Sequence, residues 1–349
     1  MVRRGRAHRG FVPPQKAYVG GCAQSSGFRH PVRVAIAQND RMPYRTELPR
    51  GLGPHFSVDH ATSLGVSSAR LRSRDLRAPF HGIRAHAAIE SPTDLRALCR
   101  EYAPRLQPGQ FFSHETALAL HAVPLPEWPY RPRLHVATHR PAREPRTRGV
   151  VGHRLQLREP AWTVTEDGIP IEHPVRAWRQ SGQTWSHDDL VAAAEHMIHP
   201  RHALAEFDDL SAEVTAMGDL RQGMLRSALN AVRGGVESPR ETRFRLLLIR
   251  SGLPEPLPGW TLTDDRDRFV ARLDLAYRRW RVAPEYDGRQ HAESTAQFQR
   301  DADRWSAIRD EGWTLVRVLS HHLEGNGARA VSMVRRALTD AGWTPGLSG

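Results

Sequence analysis

The sequence has almost no lysine: its 50 basic residues are 49 arginines and Lys16. Arginine in place of lysine is mostly what a GC-rich genome produces, but it has chemical consequences. A phosphate-binding P-loop, a protein kinase and a pyridoxal-phosphate enzyme each need a lysine amine in the folded chain, so none of these is expected, nor is a nucleotide cofactor. Cysteine is equally scarce. Cys22 and Cys99 are too few for a disulfide framework or a four-thiolate zinc site, and neither lies in a pattern that would make it a nucleophile. No run of about 18 apolar residues occurs, and the amino terminus lacks the apolar core of a secretory signal. A soluble cytoplasmic protein with no membrane partner is the expectation.

What is present is room for two or three domains. The 349 residues compare with roughly 100 to 200 per domain, and 39% hydrophobic with 25% charged residues suits a folded chain. The net charge of +12 is uneven, because residues 1–50 hold ten basic residues against Asp40 and Glu47. Residues 1–45 show no sustained period and are rich in Gly, Pro and Arg, which reads as a disordered basic tail. Such a tail suits a nucleic-acid-binding arm. The bland alternative is a translation start at Met42, leaving residues 1–41 unmade.

Residues 46–105 read as a winged helix-turn-helix. A short helix ends at Gly65, and Ser67 is placed to cap a second helix running to about Leu76, with Val58, Ala61, Leu64 and Val66 packing toward Leu71. That second helix would expose Arg70, Arg72, Arg74 and Arg77 to DNA. An arginine face is also often merely solvated. After Pro79, the extended Phe-His-Gly-Ile-Arg-Ala stands where a wing belongs. Residues 106–222 read as a mixed α+β connector, with a helix at 113–121, strands at 133–139 and 150–157, a turn at 166–168, and helices from Pro174 and Ser186. His196, His199 and His202 have helical spacing for a metal, but Pro200 interrupts them.

The informative part is 223–349. Ser238-Pro239-Arg240-Glu241 opens a helix with a capping box. Residues 268–277 and 281–287 alternate as strands and can form a hairpin. A two-residue loop at Arg279 and Trp280 places Asp274 opposite Glu285, and the period of two puts Asp287 on the same face. Like charges so opposed are destabilising unless something neutralises them. A hard divalent cation, Mg²⁺ or Mn²⁺, would do so, with Asp274, Glu285 and Asp287 as its ligands. Glu241 has two readings of equal weight, a capping partner only or a further acid of the site. A helix from about 294 to 311 and a strand at 313–319 follow, the strand parallel to the one carrying Glu285. Asp301 and Arg304 read as a surface helical pair.

Helix, acid-bearing hairpin, helix and strand resemble the PD-(D/E)XK nuclease fold. More narrowly, Glu-Thr-Arg-Phe-Arg-Leu-Leu-Leu (241–248), Leu-Asp-Leu-Ala-Tyr (273–277), Glu-Tyr-Asp-Gly-Arg-Gln-His (285–291) and Gly-Trp-Thr-Leu-Val-Arg-Val (312–318) resemble a family of unknown function related to the very-short-patch repair endonucleases. The likeness covers about residues 238–322. It implies a restriction-endonuclease-like αβββαβ domain in which Asp274 binds metal, Glu285 is the second acid and Glu241 the acid of the first helix. Two departures stand out. Asp287 occupies the place of the fold's usual lysine, so Asp287 itself, Gln290 or His291 must handle the attacking water, His291 being the better base. Pro284 replaces an aliphatic residue, deletes a ladder donor and is expected to bulge the strand beside Glu285. The segments 47–50, 71–82, 112–117 and 124–126 resemble the AbiEi-type antitoxin-like winged-helix module. This implies DNA as a partner, with a toxin or a second copy of the chain as further ones.

The expectation is thus a multidomain α/β chain of the α+β kind, with a tail at 1–45, a winged helix at 46–105, a connector at 106–222 and a nuclease-like domain at 223–349. The expected activity is a Mg²⁺-dependent DNA endonuclease. The alternatives are a non-catalytic DNA-binding regulator or antitoxin, and RNA processing, which no aromatic recognition motif decides.

Overall fold

The computed structural model describes residues 46–287 and 295–346 except Thr93 and Trp128, and for 295–300 the backbone alone. The expected tail at 1–45, Gln290 and His291 lie outside the described residues. What is described is α+β, and none of its helices is long and apolar enough to cross a membrane.

The first segment holds β1 (His55–Ser57), α1 (Val58–Ser63), β2 (Leu76–Arg77), β3 (Ile83–His86) and α2 (Leu95–Tyr102), the strands forming an antiparallel sheet in the order β1-β3-β2. Ser57 caps α1 by accepting from the His60 N–H, and Gly65 turns the chain in the left-handed region at φ 81°. The expected second helix is corrected to one 3-10 turn, Arg70–Arg72. Ser67 Oγ does accept from Arg70 N–H. The Arg70 guanidinium, however, donates to Ser73 Oγ, to both oxygens of Asp75 (3.0 and 2.8 Å) and to Thr46 O (2.6 Å), which requires the chain to leave the helix at Ser73. Arg70 is therefore a fold clamp with an 11% exposed side chain, and Arg77 pairs with Glu101 of α2. Arg72 and Arg74 are exposed.

The second segment holds β4 (Gln110–Phe112), α3 (His114–Leu120), β5 (Leu134–His139), β6 (Val150–Leu155), β7 (Thr163–Val164) and β8 (Pro170–Ile171), ordered β6-β5-β4-β8-β7 in one sheet. Four helices follow: α4 (Pro174–Ser181), α5 (His187–Ile198), α6 (Phe207–Met217) and α7 (Met224–Ala231). One core runs from Phe80, Ile83 and Tyr102 through Phe112, Trp178 and Trp185 to Leu225, Leu229 and Leu246. Segments 46–105 and 106–222 therefore share a hydrophobic interior. The boundary read at 223 falls ahead of α7, a helix of that same interior.

The last segment is α8 (Pro239–Arg250), β9 (Leu257–Thr263), β10 (Phe269–Ala276), β11 (Val282–Asp287), α9 (Thr295–Asp310), β12 (Thr314–Leu319) and α10 (Ala328–Asp340). β9 and β10 pair antiparallel, and β11 and β12 pair parallel, as a crossover through a helix demands. Phe244, Leu248, Leu275, Val282, Val318, Val334 and Trp343 form one core, and Leu273, Ala283, Ile308 and Trp313 another. α8 belongs to two interiors, since Leu246 joins the middle core while Phe244 and Leu248 join this one. Its Arg245, wholly buried, donates to Glu195 of α5 (2.5 Å), to Ala231 O (2.9 Å) and to Glu255 (3.3 Å).

Candidate carboxylate site

The hairpin that carries the acids turns through Arg278–Arg281, four residues instead of two, with Arg281 left-handed at φ 49°. The register is the expected one. Tyr277 bridges to Val282 by two backbone hydrogen bonds, so counting back along both strands sets Asp274 across from Glu285.

Pairing between β10 and β11 stops at that bridge, for a reason legible in β11. Val282 directs its N–H and C=O at β10, so by the period of two the next groups aimed there belong to Pro284 and Tyr286. Pro284 has no N–H to give. The Tyr286 N–H is taken by the Asp274 carboxylate itself, at 3.1 Å. The bulge expected beside Glu285 is absent, because β11 stays in unbroken register with β12 from Val282 to Asp287; the irregularity lies on β10, between Phe269 and Ala271. Proline thus helps to end the ladder where Asp274 and Glu285 face each other.

Glu241 reaches this place from the first turn of α8. It is the capping partner: its N–H donates to Ser238 Oγ, and its carboxylate accepts from the Ser238 hydroxyl (2.8 Å) and the Glu237 N–H (3.1 Å). It is also 8% exposed, and burial pushes its pKa up despite those hydrogen bonds. Asp274 is pushed up to about 7, first by burial and then by the charges of Glu241 and Glu285, against the pull of the Tyr286 N–H and Arg304. Asp274 of β10 therefore feels the acids of both α8 and β11.

Local cations, and not a divalent ion alone, answer part of that repulsion. Arg304 of α9 grips Glu285 with two donors, at 2.8 and 2.5 Å, and anchors itself on Arg272 O (2.7 Å). Asp287 pairs with Arg317 of β12 (2.6 Å), whose guanidinium lies 3.5 Å from the centre of the Trp305 ring. Among the described residues, no three of these carboxylates bring their oxygens within 4.8 Å of one another. Arg304 is the site residue that the surface-pair reading missed. Its signal is Ile308, a wholly buried residue four positions on and so on the same helical face.

A cleft of about 1130 Å³ opens at the carboxyl ends of β11 and β12, lined among others by Arg240, Arg243, Tyr286, Ser320 and Asn326. None of Glu241, Asp274 and Glu285 lines it, and Tyr286 alternates to the sheet face opposite Glu285. The acids and the cleft are separate features.

No family model matches the chain. Uncharacterized proteins from two strains of Mycobacterium tuberculosis are similar to it, each 27% identical over 238 residues that make up 66% of this chain and 78% of the relative.

Proposed function

We propose that the chain is a Mg²⁺-dependent endonuclease acting on DNA. The observation that carries the reading is Asp274 within reach of the charges of Glu241 and Glu285 where the β10–β11 ladder ends; the α8-β9-β10-β11-α9-β12 element order supports a restriction-endonuclease-like reading. Mg²⁺ or Mn²⁺ would be held by Asp274 and Glu285, with Glu241 direct or through water and Asp287 as a further ligand. The cation supplies a more acidic water and stabilises charge on the phosphate. Arg304 must release part of its hold on Glu285 for that cation, and is then placed to meet a phosphate oxygen. Exposed Arg72 and Arg74 in a winged-helix-like segment are the proposed DNA contacts.

The second reading is a non-catalytic DNA-binding regulator or antitoxin-like protein. Its support is the bidentate Arg304 on Glu285, which already occupies one ligand, together with the missing lysine. One experiment separates the two. Mn²⁺ is titrated calorimetrically into the full chain and into Asp274→Ala, and both are incubated with nicked, mismatched and single-stranded DNA. Micromolar Mn²⁺ binding and cleavage, both lost in the variant while DNA binding persists, support the nuclease. DNA binding without cation binding selects the regulator, and cleavage by Asp274→Ala defeats the assignment of the site.

A further inference from the structure

We infer that His114, His135 and His153 form a binding site for a borderline divalent transition metal, of the Zn²⁺, Co²⁺ or Ni²⁺ class, independent of the carboxylate site. One ring nitrogen of each lies within 4.8 Å of those of the other two. No spacing in the sequence announces the trio, since His114 begins α3, His135 is on β5 and His153 on β6. The sheet gathers them. His153 pairs with Ala137, two residues from His135, so His135 and His153 are diagonal neighbours on one face.

The rings are in mutual contact. His135 Nδ1 and His153 Nε2 are hydrogen-bonded to each other at 2.8 Å, a contact that an ion joining the two nitrogens would replace. The His114 and His153 rings stack with centroids 3.7 Å apart, so a small ring rotation must accompany binding for both lone pairs to meet one ion. His135 turns its other nitrogen, Nε2, toward Glu115 at 3.5 Å. Glu115 is itself fixed, accepting from the Arg133 N–H (2.6 Å), the Trp185 indole (3.1 Å) and the Tyr130 hydroxyl. A carboxylate held beside Nε2 places the imidazole proton there and leaves the Nδ1 lone pair facing the other two rings, as in metal sites whose histidines are oriented by an outer carboxylate.

His114 and His135 are buried, so the trio lies inside the protein and not among solvated surface side chains. Three imidazole nitrogens and no carboxylate in the inner set select a borderline metal over Mg²⁺. His153 is half-buried on β6, the edge strand of its sheet, which gives an ion a route from solvent and leaves the remaining coordination positions to water or an incoming ligand. His114 adopts φ 52°, with its N–H held by Gln180 Oε1 at 3.1 Å, so a left-handed backbone is maintained at the ring that closes the trio.

The test uses the full chain without a polyhistidine tag, stripped with chelator, and titrates Zn²⁺ by calorimetry and Co²⁺ by visible absorption. One equivalent is expected to bind, with the intense ligand-field bands of low-coordinate nitrogen-ligated Co²⁺. His153→Ala is expected to weaken binding at least about 100-fold, the upper end of what even an outer-shell change costs. His202→Ala should bind as the parent does. His153→Gln replaces the alanine variant if the latter melts early. No binding by the folded parent, unchanged binding in the His153 variants, or loss of binding in His202→Ala would overturn the assignment.

Discussion

Asp274 is the residue where the site costs the fold most, and its replacement by asparagine isolates that cost. Asp274→Asn keeps a carbonyl oxygen for the Tyr286 N–H and removes the charge. The ordinary carboxyl value is 3.8 and the folded value about 7, a difference worth about 4 kcal/mol at roughly 1.4 kcal/mol per unit. Between those values the folded chain holds a proton that the unfolded chain has released. Stability is therefore full below pH 3.8 and declines as the pH rises toward about 7. Urea unfolding of parent and variant at pH 5 and pH 8, without divalent ions, reads this directly. Asp274→Asn should be the more stable protein at pH 8, and its advantage should shrink by about 2–3 kcal/mol at pH 5. An advantage equal at both pH values, or a variant less stable at pH 8, would refute the charge argument. A stabilised variant that also loses Mn²⁺ binding would mark Asp274 as kept for function.

Other outcomes follow from the same contacts. Arg304→Ala leaves the buried Glu285 without its cation and should cost about 3 kcal/mol in urea unfolding; Mn²⁺ should raise the melting temperature of this variant more than that of the parent. Arg245→Ala strands Glu195, whose pKa burial already raises, and should cost about 3–5 kcal/mol in the same assay. Arg72→Ala with Arg74→Ala should weaken duplex binding and reduce the slope of log affinity against log salt by about 2, read by fluorescence anisotropy. Arg70→Ala should instead lower the melting temperature of the protein, because it releases Asp75 and Thr46.

The hairpin register was legible because a count along two strands with a fixed period leaves little freedom, and a longer turn did not change the sum. β9 could not be located by the same means. Its Leu257-Pro258-Gly259 reads as a turn, yet proline is tolerated there because, among the described residues, β9 has a partner on one side only, β10. Gly259 is left-handed at φ 57°, and a Cβ on it would lie 2.1 Å from Gly235 O, a close approach no local pattern reveals. The recognition helix failed for the opposite reason. Ser67, Ser73 and Asp75 offer side-chain partners that compete with helical bonds, and an arginine ordinarily read as solvated drew them together. The histidine trio has no local signal because its three members come from separate elements of a sheet.

The sharing of α8 between two interiors has a mechanical consequence. A helix of twelve residues is pinned by Arg245 on one flank and by Phe244 and Leu248 on the other. With a rise of about 1.5 Å per residue, a slip of one residue along its axis would carry Glu241 that far relative to Asp274. α5 and α7, which hold Arg245 through Glu195 and Ala231 O, are thus joined through one helix to Glu241. The two halves should also melt as a single cooperative unit, because neither can lose α8 without opening the other.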